Sequence, residues 1–116
     1  MKRKNPQKII EIIAGAAESK KAIDLRVLDI RKTSNIIDYL VICSGDSAPQ
    51  IRAIEKEIDN RLRRNKIKGF RWEGEVKSGW VVLDLGEIVV HIMGEAERAY
   101  YKLEELWGKE AIVYHY

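Results

Sequence analysis

Four side chains with chemical potential lie in one short stretch of this chain, from Trp80 to Met93. The stretch reads WVVLDLGEIVVHIM, two β-forming runs around Gly86-Glu87, and glycine in the first central position favours a type II′ turn. This predicts a β-hairpin in which Trp80 pairs with Met93 and Val82 with His91. Because side chains alternate across a strand, the hairpin has one aliphatic face and one mixed face. The mixed face holds Trp80, Val82, Asp84, Val89, His91 and Met93.

An indole, a carboxylate, an imidazole and a thioether on one sheet face favour recognition of a partner over catalysis. Aromatic side chains are enriched at the centres of protein interfaces, so the mixed face predicts a binding surface. The other face is wholly aliphatic and must be core. The alternative is an ordinary wet sheet face, on which Asp84 is solvated and Trp80 and His91 are partly covered by the rest of the protein.

Candidate sites for catalysis, metals and nucleotides are weak. Ser44-Gly45-Asp46-Ser47 precedes a helix, where backbone amides favour anions, but Ser47 and Gln50 form a capping box that explains most of this pattern. A nucleotidyltransferase needs two carboxylates at alternate strand positions close after such a turn, and the nearest pair, Glu73 and Glu75, is distant in sequence. We therefore predict no catalytic residue, metal or cofactor. A nucleotide-binding or nucleotidyltransferase-like enzyme stays the alternative.

A basic segment, Arg61 to Arg71, carries six cations in eleven residues. Arg61, Arg63 and Arg64 are candidate contacts for RNA phosphates, with Phe70 nearby for stacking. The alternative is a solvated helix end whose cations complement the helix dipole. An RNA-binding module in ribosome assembly is therefore a further alternative function.

Composition predicts a single globular domain over residues 1–116, since 46% of the residues are hydrophobic and 34% are charged. No apolar run approaches the roughly 20 residues of a membrane span, and no signal-peptide core follows the basic start, so we expect a cytoplasmic protein without a membrane partner. Cys43, the single cysteine, is predicted to be a buried thiol. Residues 1–71 hold 17 Lys/Arg against 9 Asp/Glu, whereas residues 72–116 hold 4 against 9, so one half is basic and the other acidic.

The elements that must position these residues follow from helical and strand periodicity. Asn5-Pro6 starts a helix to about Lys20, and apolar residues at helical spacing predict a last helix from Glu95 that Gly108 stops. The predicted elements between them are strands at 25–31 and 38–44, a helix over 47–65, a strand at 70–75 and the hairpin. The order predicts an α/β domain with one mixed sheet of about five strands flanked by helices, in which the step through 47–65 is a parallel crossover. The tail AIVYHY is a further strand or a turn.

Four segments, IIDYLVICSGDSAPQIRAI, RWEGE, GWVVLDLGEIVVHIM and ERAYYKLEELWG, occur in the order and spacing of a known family. Over roughly residues 8–108 the chain resembles the ribosomal silencing factors, also called Iojap-like proteins. The resemblance implies a nucleotidyltransferase-like topology without nucleotidyltransferase activity. Such proteins bind a conserved ribosomal protein on the inter-subunit face of the large subunit, block joining of the small subunit and slow translation when nutrients are scarce.

The resemblance also implies which residues bind the partner. The family's binding tryptophan falls on Trp80, and its neighbouring aspartate and histidine fall on Asp84 and His91. Its DY pair falls on Asp38 and Tyr39. Together with the mixed face, the predicted partner-binding residues are Asp38, Tyr39, Trp80, Val82, Asp84, His91 and Met93. Ribosomal RNA nearby is a further expected contact, and whether two copies of the chain form a homodimer stays open.

Overall fold

Helices and strands follow one another in the predicted order, with one additional strand at the end. A computed structural model describes residues 5–108 and 111–115, so the basic residues 2–4 lie outside the described part of the chain. The elements are α1 (Pro6–Ser19), β1 (Ile23–Asp29), β2 (Tyr39–Gly45), α2 (Ala48–Arg64), β3 (Arg71–Glu75), β4 (Trp80–Asp84), β5 (Ile88–Gly94), α3 (Glu95–Tyr101) and β6 (Ile112–His115). Short 3₁₀ turns cover Val76–Ser78 and Leu103–Leu106. Within the described residues, no helix is both long and apolar enough to cross a membrane.

All the described strands join one mixed sheet in the order β3-β4-β5-β2-β1-β6. Only β2 and β5 pair in parallel within it, and the remaining neighbours are antiparallel. β3 is antiparallel to β4, and β4 is antiparallel to β5, so β3 runs parallel to β5 and also to β2. The predicted parallel crossover from β2 through α2 to β3 is therefore confirmed. The α/β fold class is confirmed as well. The sheet has six strands where about five were predicted, because the tail pairs with β1 as β6.

Side chains cap the two long helices at their N-terminal ends. Asn5 Oδ1 accepts a hydrogen bond from the Lys8 amide at 3.0 Å, and Ser47 Oγ accepts one from the Gln50 amide at 3.2 Å. The predicted capping box is only half formed, because Gln50 Oε1 accepts from the amide of Asp46 rather than that of Ser47. Gln50 Nε2 instead donates to the Lys21 carbonyl at 2.8 Å, which ties the start of α2 to the end of α1.

Two hydrophobic clusters cover the two faces of the sheet. The larger lies between one face and the paired helices α1 and α2, and the residues predicted for the apolar side of α2, Ile51, Ile54, Ile58 and Leu62, are all buried there. Cys43 is buried in the same cluster as predicted, and burial raises the pKa of its thiol to about 12. The smaller cluster covers part of the opposite face beneath the chain that follows α3; its buried members are Leu28, Ile30, Leu40, Ile42 and Val89.

The last helix is shorter than predicted. It ends at Tyr101 because Lys102 adopts a left-handed conformation with φ 49°, and the expected helix up to Gly108 is therefore wrong in its second half. Its buried residue is Arg98, whereas Tyr100 is 80% exposed. Arg98 donates from Nε to Glu104 Oε1 at 3.1 Å and from Nη2 to Glu104 Oε2 at 2.9 Å. This two-bond clamp holds the chain after α3 folded back over the sheet.

Arg98 also fastens α3 to the ends of the central strands. Its Nη1 donates to Ser44 Oγ at 3.1 Å and to the Ile23 carbonyl at 3.4 Å, while Asp24 Oδ2 lies 3.5 Å from Nη2. The network borders a pocket of about 710 Å³ between α3 and the ends of β1 and β2. Among the described residues, no buried side-chain nitrogen or oxygen lacks a hydrogen-bond partner, so these charges satisfy one another.

We predict that Arg98→Met lowers the free energy of unfolding by about 3 kcal/mol, because Glu104 then keeps a largely buried charge without its main partner. Adding Glu104→Met removes that charge and should recover part of the loss. Urea unfolding of the two single variants and the double variant measures the coupling. Losses that simply add in the double variant would contradict a direct Arg98–Glu104 interaction.

Candidate functional site

The hairpin β4–β5 has the predicted register. Trp80 lies opposite Met93 and Val82 opposite His91, and the Leu85 amide donates to the Ile88 carbonyl at 2.9 Å to close the turn. Gly86 has φ 93°, the left-handed value that the turn requires and that glycine adopts without strain. The aliphatic side chains of the two strands, Val81, Leu83, Leu85, Ile88, Val90 and Ile92, are all buried in the larger cluster. The mixed face therefore points away from α1 and α2.

A hydrogen bond between Trp80 and His91 forms the centre of the mixed face. Trp80 Nε1 donates to His91 Nδ1 at 2.9 Å, and the two ring centroids are 5.9 Å apart. An indole N–H can only donate, so Nδ1 of His91 is the unprotonated nitrogen and Nε2 carries the proton. Burial lowers the pKa of His91 to about 4, so the imidazole is neutral at physiological pH.

Two tyrosines of α3 extend the mixed face into an aromatic row. The Tyr101 ring centroid lies 4.8 Å from that of Trp80, and Tyr100 meets Tyr101 edge-on at 5.0 Å. Tyr100 is 80% and Tyr101 53% exposed. Neither tyrosine was among the predicted site residues. The sequence does contain a signal for them: Tyr100 and Tyr101 are consecutive on a helix, so both side chains cannot point into one core and at least one must be exposed.

Met93 and Val89 of the mixed face and Tyr39 of the DY pair are buried. Met93 is 0% exposed, so the expectation that its thioether is displayed is wrong; it lies at the end of β5, the strand that α3 follows and contacts. Val89 is 8% exposed and belongs to the smaller cluster, against which the half-buried Val82 also packs. Tyr39 is 8% exposed in the larger cluster on the opposite side of the sheet, so its ring is not available to a partner on the mixed face.

Asp84 and Asp38 are both partly exposed, and each is tied to the hairpin turn by one hydrogen bond. Asp84 Oδ1 accepts from the Gly86 amide at 2.8 Å, which supports the hairpin turn. Its Oδ2 lies 3.7 Å from Arg71 Nη2 on the neighbouring strand. The Asp38 amide donates to the Glu87 carbonyl at 2.8 Å, so Asp38 lies at the turn end of the hairpin and not beside Trp80.

Carboxylates border the mixed face along the edge strand β3. Glu75 lies opposite Trp80 and Glu73 opposite Val82, so both side chains share the face with their partners. Their side chains are 66% and 57% exposed. With Asp84 they are three carboxylates against two cations, Arg71 and Lys77, so the border carries a net negative charge. We call Trp80, Val82, His91, Tyr100 and Tyr101, with this acidic border, the Trp80 face.

The arginines predicted to contact RNA lie on α2, on the other side of the sheet. Arg61 Nε donates to Glu57 at 2.7 Å, and its guanidinium lies against α1 at Gly15. Arg63 Nε donates to Asp59 at 2.8 Å, and Arg64 Nη2 lies 3.5 Å from Glu57. These pairings partly neutralise all three arginines.

The arrangement expected of a nucleotidyltransferase is not assembled by the described residues. At the turn after β2 the Asp46 amide is occupied by Gln50, and Ser47 caps α2. Glu73 and Glu75 lie on β3, three strands away from β2, which at about 4.8 Å per strand is roughly 14 Å. No group of three or more His, Cys, Asp or Glu in the described ranges is arranged to hold a metal ion.

Comparison with known proteins identifies related chains. The model of the family described as "Ribosomal silencing factor during starvation" matches residues 3–114. A Bacillus subtilis protein named ribosomal silencing factor RsfS is 41% identical over 104 residues, covering 90% of this chain and 88% of that protein. A crystal structure of a Chromobacterium violaceum protein superposes with a TM-score of 0.86 at 31% identity, covering 91% of this chain and 89% of that one.

A more distant relative comes from mouse and is named mitochondrial assembly of ribosomal large subunit protein 1. It is 27% identical over 101 residues, covering 84% of this chain but only 44% of its own length. That name refers to the large subunit of the ribosome.

We predict that protonation of His91 opposes folding. Its pKa is lowered to about 4 in the folded state against about 6.5 in an unfolded chain, so the unfolded state binds the proton first. The free energy of unfolding is therefore highest above pH ~6.5, where His91 is neutral in the folded and the unfolded state. It decreases by about 2–3 kcal/mol as the pH falls toward 4. His91→Gln keeps an acceptor for Trp80 but does not titrate, so its urea-unfolding stability should fall less over this pH range. Equal slopes for the two proteins would contradict the prediction.

Proposed function

Because this chain belongs to the ribosomal silencing factor family, we propose that it is a non-catalytic repressor of translation that acts on the large ribosomal subunit in the cytoplasm. In this proposal the Trp80 face binds a ribosomal protein on the inter-subunit face of that subunit. The bound domain then prevents the small subunit from joining. The name of the mouse relative, which refers to the large subunit, supports the choice of subunit.

The observation that carries this proposal is the partly exposed aromatic row from Trp80 to Tyr100. The Trp80 indole is held by a hydrogen bond to His91 and by contact with the Tyr101 ring, so little side-chain freedom is lost when a partner covers it. Large aromatic side chains placed on a rigid sheet are the usual anchors of protein interfaces. His91 contributes a neutral ring whose Nε2–H can donate to a partner carbonyl without the desolvation cost of a charge.

Charge supports a basic partner for the same face. Glu73, Glu75 and Asp84 place three carboxylates beside the aromatic row. Arg71 pairs with Glu73 and Asp84, and Lys77 pairs with Glu75, so one net negative charge remains. Proteins that bind ribosomal RNA are commonly basic, so these carboxylates would steer such a protein onto the face and favour one orientation. We expect this contribution to weaken with salt, because the carboxylates are exposed.

Steric exclusion requires only that the bound domain occupy space on the surface where the small subunit joins. The domain measures 37 × 32 × 23 Å, so even its shortest extent far exceeds the ~4 Å at which two protein surfaces make contact. A body of this thickness on the joining surface keeps the two subunits apart. The non-catalytic part of the proposal is supported by the turn after β2, where Gln50 and Ser47 already occupy the amides that a nucleotide phosphate would need.

We predict that Trp80→Ala weakens binding to purified large subunits about thirtyfold, the cost of losing an anchor worth about 2 kcal/mol. Trp72→Ala is the matched control: Trp72 packs on the opposite side of the sheet, where its Nε1 donates to Asp59 at 2.9 Å. The control should lose stability but retain subunit binding at a temperature well below its melting temperature. Co-sedimentation with separated subunits and thermal unfolding of the same samples measure both effects.

The wild-type protein should also lower the yield of joined ribosomes when it is added to large subunits before small ones. Trp80→Ala should lose this effect in proportion to its lost affinity. Equal binding of wild-type protein to both subunits, or undiminished binding by Trp80→Ala, would contradict the proposal.

A further inference from the structure

The turn between α2 and β3 presents two lysines on a rigid backbone. Lys66 has φ 61° and donates its amide to the Arg63 carbonyl at 3.0 Å, while the Ile67 amide donates to the Leu62 carbonyl at 3.0 Å. These two bonds form a Schellman motif that closes the helix. Ile67 is 4% exposed and anchors the turn in the core, whereas Lys66 and Lys68 on either side of it are exposed.

A shallow pocket gathers the cations of this turn around an aromatic ring. It has a volume of about 270 Å³ and is lined by Arg63, Lys66, Ile67, Lys68, Gly69 and Phe70, with no acidic side chain among these described residues. The Arg63 guanidinium carbon lies 5.1 Å from the centre of the Phe70 ring. Asp59 accepts a hydrogen bond from Nε of Arg63, which leaves the two outer guanidinium nitrogens of Arg63 outside that bond. We call Arg63, Lys66, Lys68 and Phe70 the basic corner.

Excess positive charge is concentrated at the basic corner. Residues 57–71 contain six Lys/Arg and two Asp/Glu, which leaves a net charge of +4. The two carboxylates, Glu57 and Asp59, pair with the arginines of α2. Among the described residues no carboxylate lies within salt-bridge distance of Lys66 or Lys68. These two lysines therefore carry two of the four excess charges.

Helix electrostatics explains the arginines but not the lysines. Cations in the last turn of α2 complement the helix dipole, and that effect fades beyond the turn. Lys66 and Lys68 lie past the end of the helix. Lys66 takes the same left-handed conformation as Lys21 after α1, so backbone conformation does not distinguish these two lysines and the charge around them does.

We propose that the basic corner binds the phosphate backbone of RNA, with the Arg63–Phe70 pair as a surface on which an unpaired base can stack. Lysines provide mobile point charges for phosphates, and a guanidinium or aromatic plane stacks on bases of single-stranded RNA. The corner continues directly into β3, whose first residue, Arg71, lies opposite Asp84 of the Trp80 face. An RNA strand beside the docked ribosomal protein can thus meet the corner. This placement on the large subunit rests on the proposed function, whereas RNA binding itself does not.

The test compares two lysines in the same backbone setting. Lys21 follows α1 with φ 61° and makes the same pair of bonds, from its amide to Glu18 and from the Ala22 amide to Ala17, but it lies at the opposite end of the helical layer. Lys66→Gly and Lys21→Gly each remove one cation and relieve one left-handed residue. Neither variant should melt below wild type, so a change in binding is not a change in folding.

Fluorescence anisotropy with a short fluorescein-labelled, mixed-sequence single-stranded RNA should show the difference. Lys66→Gly combined with Lys68→Gln should weaken binding about tenfold and reduce the slope of log K against log salt by about 1.4, the value for two lost contacts to single-stranded RNA. Lys21→Gly should bind like wild type. An RNA affinity that is unchanged in the double variant, or is lost equally in Lys21→Gly, would overturn the proposal. Tighter binding of labelled polyglutamate with the same dependence on Lys66 would overturn it in favour of an acidic protein.

A second arm uses purified large subunits and keeps this inference separate from the proposed function. The double variant should bind subunits more weakly than wild type and with a smaller salt slope, while Trp80→Ala should bind the RNA oligonucleotide normally. Subunit binding that depends on Trp80 but not on Lys66 and Lys68 would overturn the RNA contact and leave the proposed function standing. RNA binding that depends on the two lysines, together with no binding to subunits, would overturn the proposed function and leave the RNA contact standing.

Discussion

The register of the β4–β5 hairpin is the constraint on which the rest of the structure depends. Because side chains alternate with a period of two, a slip of one residue would turn six buried aliphatic side chains outward and Trp80 and His91 inward. Gly86 at φ 93° and the bond from the Leu85 amide to the Ile88 carbonyl prevent that slip. The same alternation that builds the core under α1 and α2 thus displays the Trp80 face on the other side.

A second constraint decides how much of that face stays accessible. Arg98, clamped by Glu104 and bonded to Ser44, holds α3 and the following turn over the ends of β1 and β2. The turn after α3 and the tail cover the part of the mixed face that lies on β1 and β2. Trp80 stays partly exposed, with the Tyr101 ring against it. A buried charge network is a costly way to hold a helix, since it must be fully satisfied, but it fixes one geometry. That geometry gives the face its aromatic row.

Local patterns predicted what depends on local geometry. The strand pairing of the hairpin, the buried side of α2 and both helix caps follow from spacing and turn chemistry, and the structure agrees with them. The errors came from contacts between elements, which residue spacing does not reveal. Met93 lies at the end of β5 that α3 follows, the chain turns back at Lys102 so that Glu104 meets Arg98, and the sixth strand exists because the tail returns to β1. Likewise, the sequence identified a basic segment, but only the ion pairs to Glu57 and Asp59 distinguish its paired arginines from Lys66 and Lys68.

Site-specific cross-linking tests most directly whether the Trp80 face is the docking surface. A photoreactive phenylalanine analogue in place of the exposed Tyr101 would report what covers this face on purified large subunits, and the same analogue at Arg52, exposed on α2, would report the opposite side. We predict that the probe at position 101 forms adducts with one basic protein of the large subunit and that the probe at position 52 does not. Adducts to that protein from position 52 alone, or no adduct from position 101 to a large-subunit protein, would contradict the account.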